Sequence, residues 1–209
     1  LSRIDNIVGD ISGRLQNKNA ARDRALIESR QLVRQSANAI RALHRGETDL
    51  AREHLAAGRD LVLAARHDLS DQPDVYWAGY VQDAQKEFAE ATIVSAMIAG
   101  NPMPSPDELG VEDAPYLNGM AEAASEMRRY VLDTIRRGGE SEMQEAEGIL
   151  AIMDDVYTNL ITVDFPDTIT GGLRRTVDSL RAVLERTRGD LTISIRQADL
   201  ARALGRHRS

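Results

Sequence analysis

Leu117-Asn118-Gly119-Met120-Ala121-Glu122-Ala123-Ala124-Ser125-Glu126-Met127-Arg128-Arg129-Tyr130-Val131 is the stretch from which the fold class can be read. Leu117, Met120, Ala124, Met127 and Val131 recur at steps of three and four. That is the spacing of one helix face, so the stretch predicts an amphipathic helix from about Ala114 to Arg136 with this stripe in a core. Alternation of the strand kind is nowhere longer than Leu191-Thr192-Ile193-Ser194-Ile195, which is read as helix with its surroundings. Six Pro, two Phe and one Trp stand against abundant Ala, Leu, Arg and Glu, a balance that favours helix over sheet. The fold class expected is all-α.

Working outward, apolar periodicity and punctuation give about seven helices with short connections. The first covers roughly 2 to 45, with an interruption expected near Asn17-Lys18-Asn19, and ends at Gly46. Thr48 or Asp49 can cap the next, which runs to Leu69. After Ser70-Asp71-Gln72-Pro73 a third long helix is expected from Asp74 to Ala99. Gly100-Asn101-Pro102-Met103-Pro104-Ser105-Pro106 reads as a loop, and Ser105-Pro106 as the start of a single turn through Leu109. Beyond the Ala114 helix, which Gly138-Gly139 ends, further helices are expected from Ser141 to Leu160, from Pro166 or Thr168 to Thr187, and from Leu191 to Leu204. An antiparallel bundle forming a single domain over 1–209 is the simplest architecture.

The absence of Cys excludes a disulfide scaffold, a thiolate nucleophile and a Cys-ligated zinc site. No apolar run approaches the ~20 residues that span a bilayer. The start, Leu1-Ser2-Arg3-Ile4-Asp5, lacks the apolar stretch of a secretory signal. A cytoplasmic protein with no membrane partner is expected, while a start at Leu1 rather than Met leaves room for a segment ahead of it. P-loop, dinucleotide and HExxH patterns are missing, and His44, His54, His67 and His207 show no ligand spacing.

Two pairs of carboxylates sit at helical spacing: Glu87 with Glu90 in Lys86-Glu87-Phe88-Ala89-Glu90-Ala91, and Glu122 with Glu126 in the stretch quoted first. Each pair can aim its oxygens at one point, and if the two helices lie side by side the four suit a hard cation such as Mg²⁺ or Mn²⁺. Among 33 acidic residues, the same spacing also describes a solvated helix face. Asp154 and Asp155 form a further acidic pair, but adjacent residues point apart on a helix, and both stay outside the expected site.

A net charge of −7 argues against the whole surface binding nucleic acid, so local basic stripes matter more. Arg30, Arg34, Arg41 and Arg45 fall within about 60° of one another on a helix face. Arg52, Arg59 and Arg66 form a second ridge and Arg174, Arg181 and Arg188 a third, with Arg202, Arg206, His207 and Arg208 in a basic tail. Such ridges can neutralise the phosphates of a strand, or can be solvated faces paired with Glu28, Glu47, Asp49 and Glu53. Tyr76, Trp77 and Tyr80 can stack bases or belong to a core or a subunit contact. Only Lys18 and Lys86 among 26 basic residues are Lys, a bias that genomic base composition explains.

At Glu87-Phe88-Ala89-Glu90-Ala91 the chain resembles the translin and translin-associated factor X (Trax) family, and Trax more closely. Arg22-Asp23-Arg24-Ala25-Leu26-Ile27-Glu28-Ser29-Arg30 leading to Leu43-His44-Arg45 resembles that family's first long helix. Tyr116-Leu117-Asn118-Gly119 leading to Glu126-Met127-Arg128-Arg129 resembles its Asp-Tyr-Leu-x-Gly and Gly-Glu-Leu-x-Arg segment, and Val156-Tyr157 and Arg188-Gly189 fall where it carries similar residues. The likeness runs from about 22 to 195, and the order of the motifs carries it.

The acidic composition and the use of Arg over Lys point to a prokaryotic or archaeal source. The resemblance implies a translin-like bundle that self-assembles into a closed shell, commonly a homo-octamer. It also implies that Glu87, Glu90, Glu122 and Glu126 bind Mg²⁺ or Mn²⁺ and catalyse phosphodiester hydrolysis in an endoribonuclease, inside the shell, on single-stranded RNA. Glu122 stands where Trax usually has Asp, and Phe88-Ala89 replaces Tyr-Val; the first departure bears on metal geometry. Arg30, Arg34, Arg41 and Arg45 are the expected nucleic-acid contacts. Two other classes stay open: a translin-like module that holds single-stranded RNA or DNA without cutting it, and a helical scaffold with no nucleic-acid partner.

Overall fold

The structure is a computed structural model that describes residues 2–206, with side chains through Leu204. His207 and Arg208 of the basic tail lie outside the described residues. Among the described residues there are nine helices and no strand: α1 (Arg3–His44), α2 (Thr48–Asp68), α3 (Pro73–Tyr76), α4 (Gly79–Ala99), α5 (Pro106–Leu109), α6 (Asp113–Arg137), α7 (Glu140–Leu160), α8 (Asp167–Thr170) and α9 (Leu173–Arg206). The class is all-α, and three of the nine helices are single turns. By internal contacts the chain divides into two compact units.

The first unit comprises the chain up to Thr92 together with Pro104–Tyr116. A capping box between Ser2 and Asp5 starts α1. The break expected at Asn17-Lys18-Asn19 does not occur: α1 runs through it, with Asn19 bonded to Asp23 one turn on and Lys18 paired with Asp74. A polar exposed face is no reason for a helix to stop. Gly46, at a φ of +75°, makes the turn into α2, a backbone state that L side chains resist.

Gly58 of α2 lets Phe88 of α4 approach closely, since a Cβ there would meet the ring at 2.9 Å. Ala21, Ala25, Leu69, Val75, Tyr76 and Val81 form one core cluster, with Tyr80 packed against it. The single helix expected from Asp74 to Ala99 is instead α3 and α4, separated at Trp77-Ala78. Burying Tyr76 in that cluster turns the chain, and the Gln82 amide donates to the freed Tyr76 carbonyl at 3.0 Å.

The second unit comprises Ile93–Met103 together with the chain from Leu117 onward. Leu173, Val177, Leu180, Leu184, Thr187 and Leu191 are buried at alternating steps of four and three along α9. The break expected between Thr187 and Leu191 is absent. Thr187 satisfies its hydroxyl within the helix, on the Val183 carbonyl at 2.8 Å, so a polar residue sits in the seam without ending it. Leu191–Ile195 is helix, as read. Gly171 and Gly172, both at positive φ, separate α8 from α9. Asn118 donates to the Thr170 carbonyl and accepts from the Thr176 hydroxyl, both at 2.7 Å, which ties α6 to the α8–α9 junction.

Candidate metal centre

The turn of α4 that carries Glu87 and Glu90 is fixed from both sides of its backbone. Phe88, Ala89 and Ala91 are buried, so their helix face is committed to the core and the two glutamates fall at its edge. Upstream on the same helix Gln85, buried, donates to the Tyr76 hydroxyl at 3.3 Å and accepts the Glu112 backbone N–H at 2.9 Å. Tyr76 in turn donates to Glu112 Oε1 at 2.7 Å. Burial, helped by that carboxylate, pushes the Tyr76 hydroxyl up to about 12. Tyr76 is therefore a core anchor of α4 rather than a stacking platform. Trp77 is 58% exposed and meets Tyr76 edge-on at 5.4 Å.

Glu87 and Glu90 are both half-buried, and one carboxylate oxygen of each lies within 4.8 Å of the other. Lys86, given no role from the sequence, holds Glu87 at 3.2 Å; its adjacency in the chain was the available signal. On α6, Glu122 and Glu126 are half-buried between Ala121, Ala123, Ala124 and Met127, none of which has any exposure. Glu90, Glu122 and Glu126 all have interaction partners. Glu87 and Glu90 form one carboxylate pair on α4, and Glu122 and Glu126, one turn apart, form a second on α6. Among the described residues no His or Cys joins them, so the donors are all oxygen and fit a hard cation such as Mg²⁺ or Mn²⁺.

Arg30, Arg34 and Arg41 on α1 and Arg45 at its C-cap are all exposed. Arg41 donates to Asn38 at 2.6 Å, and Arg45 pairs with Glu47 at 2.5 Å, which raises the guanidinium pKa and lowers that of the carboxyl. In the second ridge Arg52 pairs with Asp49 at 2.6 Å. Arg188 of the third is a structural link, held by Asp154 of α7 at 2.7 Å and by Glu185 at 3.1 Å, which accounts for Asp154 as well. The histidines stay apart: His54 meets Gln35 at 2.6 Å and His67 meets Asp68 at 2.8 Å. Among the described residues no helix is long and apolar enough to cross a membrane.

No family model matches the chain. An uncharacterized protein of Methanocaldococcus jannaschii, MJ0175, is 29% identical over 194 residues, which is 92% of this chain and 84% of that protein. The crystal structure of AfC3PO is similar with a TM-score of 0.82 and 29% identity, covering 90% of this chain and 96% of that one. AfC3PO in complex with duplex RNA gives the same score and identity over 90% of this chain and 95% of that one. These are C3PO (translin/Trax) complexes, and the chain is similar to them in fold and, at 29% identity, in sequence. Apo-NeC3PO, with a TM-score of 0.80 and 20% identity over 93% of this chain and 98% of that one, shares the fold. The chain carries acidic residues at all four positions that its resemblance to Trax marks, on α4 and α6.

Proposed function

We propose that this translin/Trax-like protein is a metal-dependent endoribonuclease. On the resemblance to Trax, Glu87, Glu90, Glu122 and Glu126 hold Mg²⁺ or Mn²⁺. The observation that carries the reading is the half-buried carboxylate pair of Glu87 and Glu90, with oxygens within 4.8 Å of each other, on the fold of AfC3PO, a protein whose complex with duplex RNA is solved. A divalent ion bound there lowers the pKa of water and stabilises charge on a scissile phosphate.

The chain's own groups orient that chemistry. Phe88 and Ala89, locked in the core, set the direction of the α4 pair, and Lys86 balances the charge of Glu87. Arg30 and Arg34, exposed and without an ion pair among the described residues, guide the RNA backbone. We take single-stranded RNA as the substrate and a self-assembled shell, a homo-octamer, as the working form, both on the resemblance to Trax.

Cleavage of labelled RNA by the purified protein, single-stranded beside duplex, in Mg²⁺, Mn²⁺ and EDTA, tests the reading. Cutting that needs metal and disappears in the Glu87→Ala/Glu90→Ala variant is expected. Binding without cutting under every metal would replace it with the translin-like binding module.

A further inference from the structure

Lys86 stands against the α4 carboxylate pair in a way that helix geometry alone does not produce. Adjacent residues on a helix point about 100° apart, so an ammonium on one reaches the carboxylate of the next only if its stem bends around the helix. Lys86 Nζ nevertheless lies 3.2 Å from Glu87 Oε1. Arg22 and Asp23 on α1 are adjacent in the same way, but their side chains are 54% and 56% exposed, an ordinary surface pair. Those of Lys86 and Glu87 are 22% and 30% exposed. Attraction between opposite charges grows as water is withdrawn. So does the repulsion between Glu87 and Glu90, which bring an oxygen each to within 4.8 Å. A positive charge at that edge offsets the repulsion and the lost hydration together.

The surroundings determine how that charge can leave. Phe88, Ala89 and Ala91 are buried, and the Phe88 ring packs close against the backbone of Gly58 on α2. The α4 backbone is therefore held at this turn, and only side chains can rearrange. A lysine suits that exchange. Its ammonium is a compact charge on a flexible stem, whereas the planar fork of an arginine grips a carboxylate with two parallel bonds. Lys86 is one of two lysines among 26 basic residues, and the other, Lys18, pairs with Asp74. An ammonium offers Glu87 a single charge, and Mg²⁺ or Mn²⁺ offers two. A dication on either oxygen of Glu87 stands on the order of 5 Å from the ammonium, where like charges withdrawn from water repel strongly.

We propose that Lys86 is the resident counter-ion of this centre: it holds Glu87 in the absence of metal and gives it up to a divalent cation, and so sets the cation concentration at which the centre fills. Resting on the metal-centre reading of Glu87 and Glu90, this role is a regulatory one.

Mn²⁺ binding to the full chain, read from the electron paramagnetic resonance of the free ion, is compared among the native protein, Lys86→Met, Lys86→Arg and Lys18→Met. Lys86→Met keeps most of the side chain's length and loses its charge, and should bind Mn²⁺ about tenfold more tightly. Lys86→Arg should bind no more tightly than the native chain, and Lys18→Met, which removes the same charge from the Asp74 pair, should match it. Because the chain has only two lysines, acetylation of the native protein followed by mass spectrometry reads the exchange directly. Saturating Mg²⁺ should speed modification of Lys86 severalfold and leave Lys18 unchanged. Mn²⁺ bound by Lys86→Met no more tightly than by the native chain, an equal gain in Lys86→Arg or Lys18→Met, or a Lys86 amine no more reactive in Mg²⁺ overturns the inference and leaves the metal-centre reading standing. Absence of Mn²⁺ binding in the native chain and every variant overturns both.

Discussion

The carboxylates of α4 and α6 and the arginines of α1 share one sequence signature, like charges three or four residues apart on a helix. The fold treats them oppositely. Glu87, Glu90, Glu122 and Glu126 are half-buried among alanines, Phe88 and Met127, whereas Arg30, Arg34, Arg41 and Arg45 all face water. A carboxylate drawn out of water next to another loses hydration and gains repulsion, and only a cation or a donor set offsets that. An exposed guanidinium carries no such cost and needs no partner. The spacing is common; the withdrawal from water is what sets the acidic pairs apart from the exposed ridge.

The largest expected effect breaks the acidic side of this contrast. Glu90→Ala or Glu122→Ala should each reduce RNA cleavage by about a hundredfold or more while circular dichroism stays native, as expected for loss of a proposed metal ligand. Glu126→Ala should do the same if the four carboxylates act as one set, and full activity in Glu90→Ala would end the site assignment.

Below that comes the packing that aims the α4 pair. Gly58→Ala forces a methyl against Phe88, beside Glu87, and should destabilise the protein by about 1–3 kcal/mol in a denaturant titration. An unchanged midpoint would show that Phe88 can move and does not fix Glu87.

The basic side should yield less. Arg30→Glu/Arg34→Glu is expected to weaken RNA binding severalfold and to lower the slope of log affinity against log salt by about 2, as two phosphate contacts are lost. The same change at Arg41 and Arg45 should do less, since both already have protein partners. Indifference to all four would leave the ridge a solvated face.

The smallest effect concerns the anchor under α4. With its folded-state value raised to about 12 from an ordinary 10, Tyr76 holds its proton more tightly folded than unfolded. Its contribution is therefore complete below about pH 10 and is lost as pH rises towards about 12. Urea midpoints should fall across that window, and less steeply in Tyr76→Phe, which also leaves Glu112 without its donor.

Much of the fold was legible because helices announce themselves locally. The helix over Leu117 to Val131, the Ser105-Pro106 turn and the stop at Gly138-Gly139 stand where periodicity and punctuation put them, and of the stripe Ala124, Met127 and Val131 are buried while Leu117 and Met120 are half-buried. The misplaced boundaries share a cause. Asn17-Lys18-Asn19 and Thr187 look like breaks because polar residues interrupt a stripe, yet one lies on an exposed face and the other bonds its own helix. The turn at Trp77-Ala78 could not be read, since it depends on Tyr76 entering a core built from Ala21, Ala25, Leu69 and Val81, distant in sequence.

By itself the sequence determined the all-α class, the helix faces, the two acidic pairs and the basic ridge, since each follows from spacing along one helix and from the identities of neighbouring residues. Tertiary structure alone decided which charges leave the water, and that Tyr76 is an anchor and Arg188 a link. Burial is set by elements far apart in the chain, and no periodicity within one helix records what packs against it.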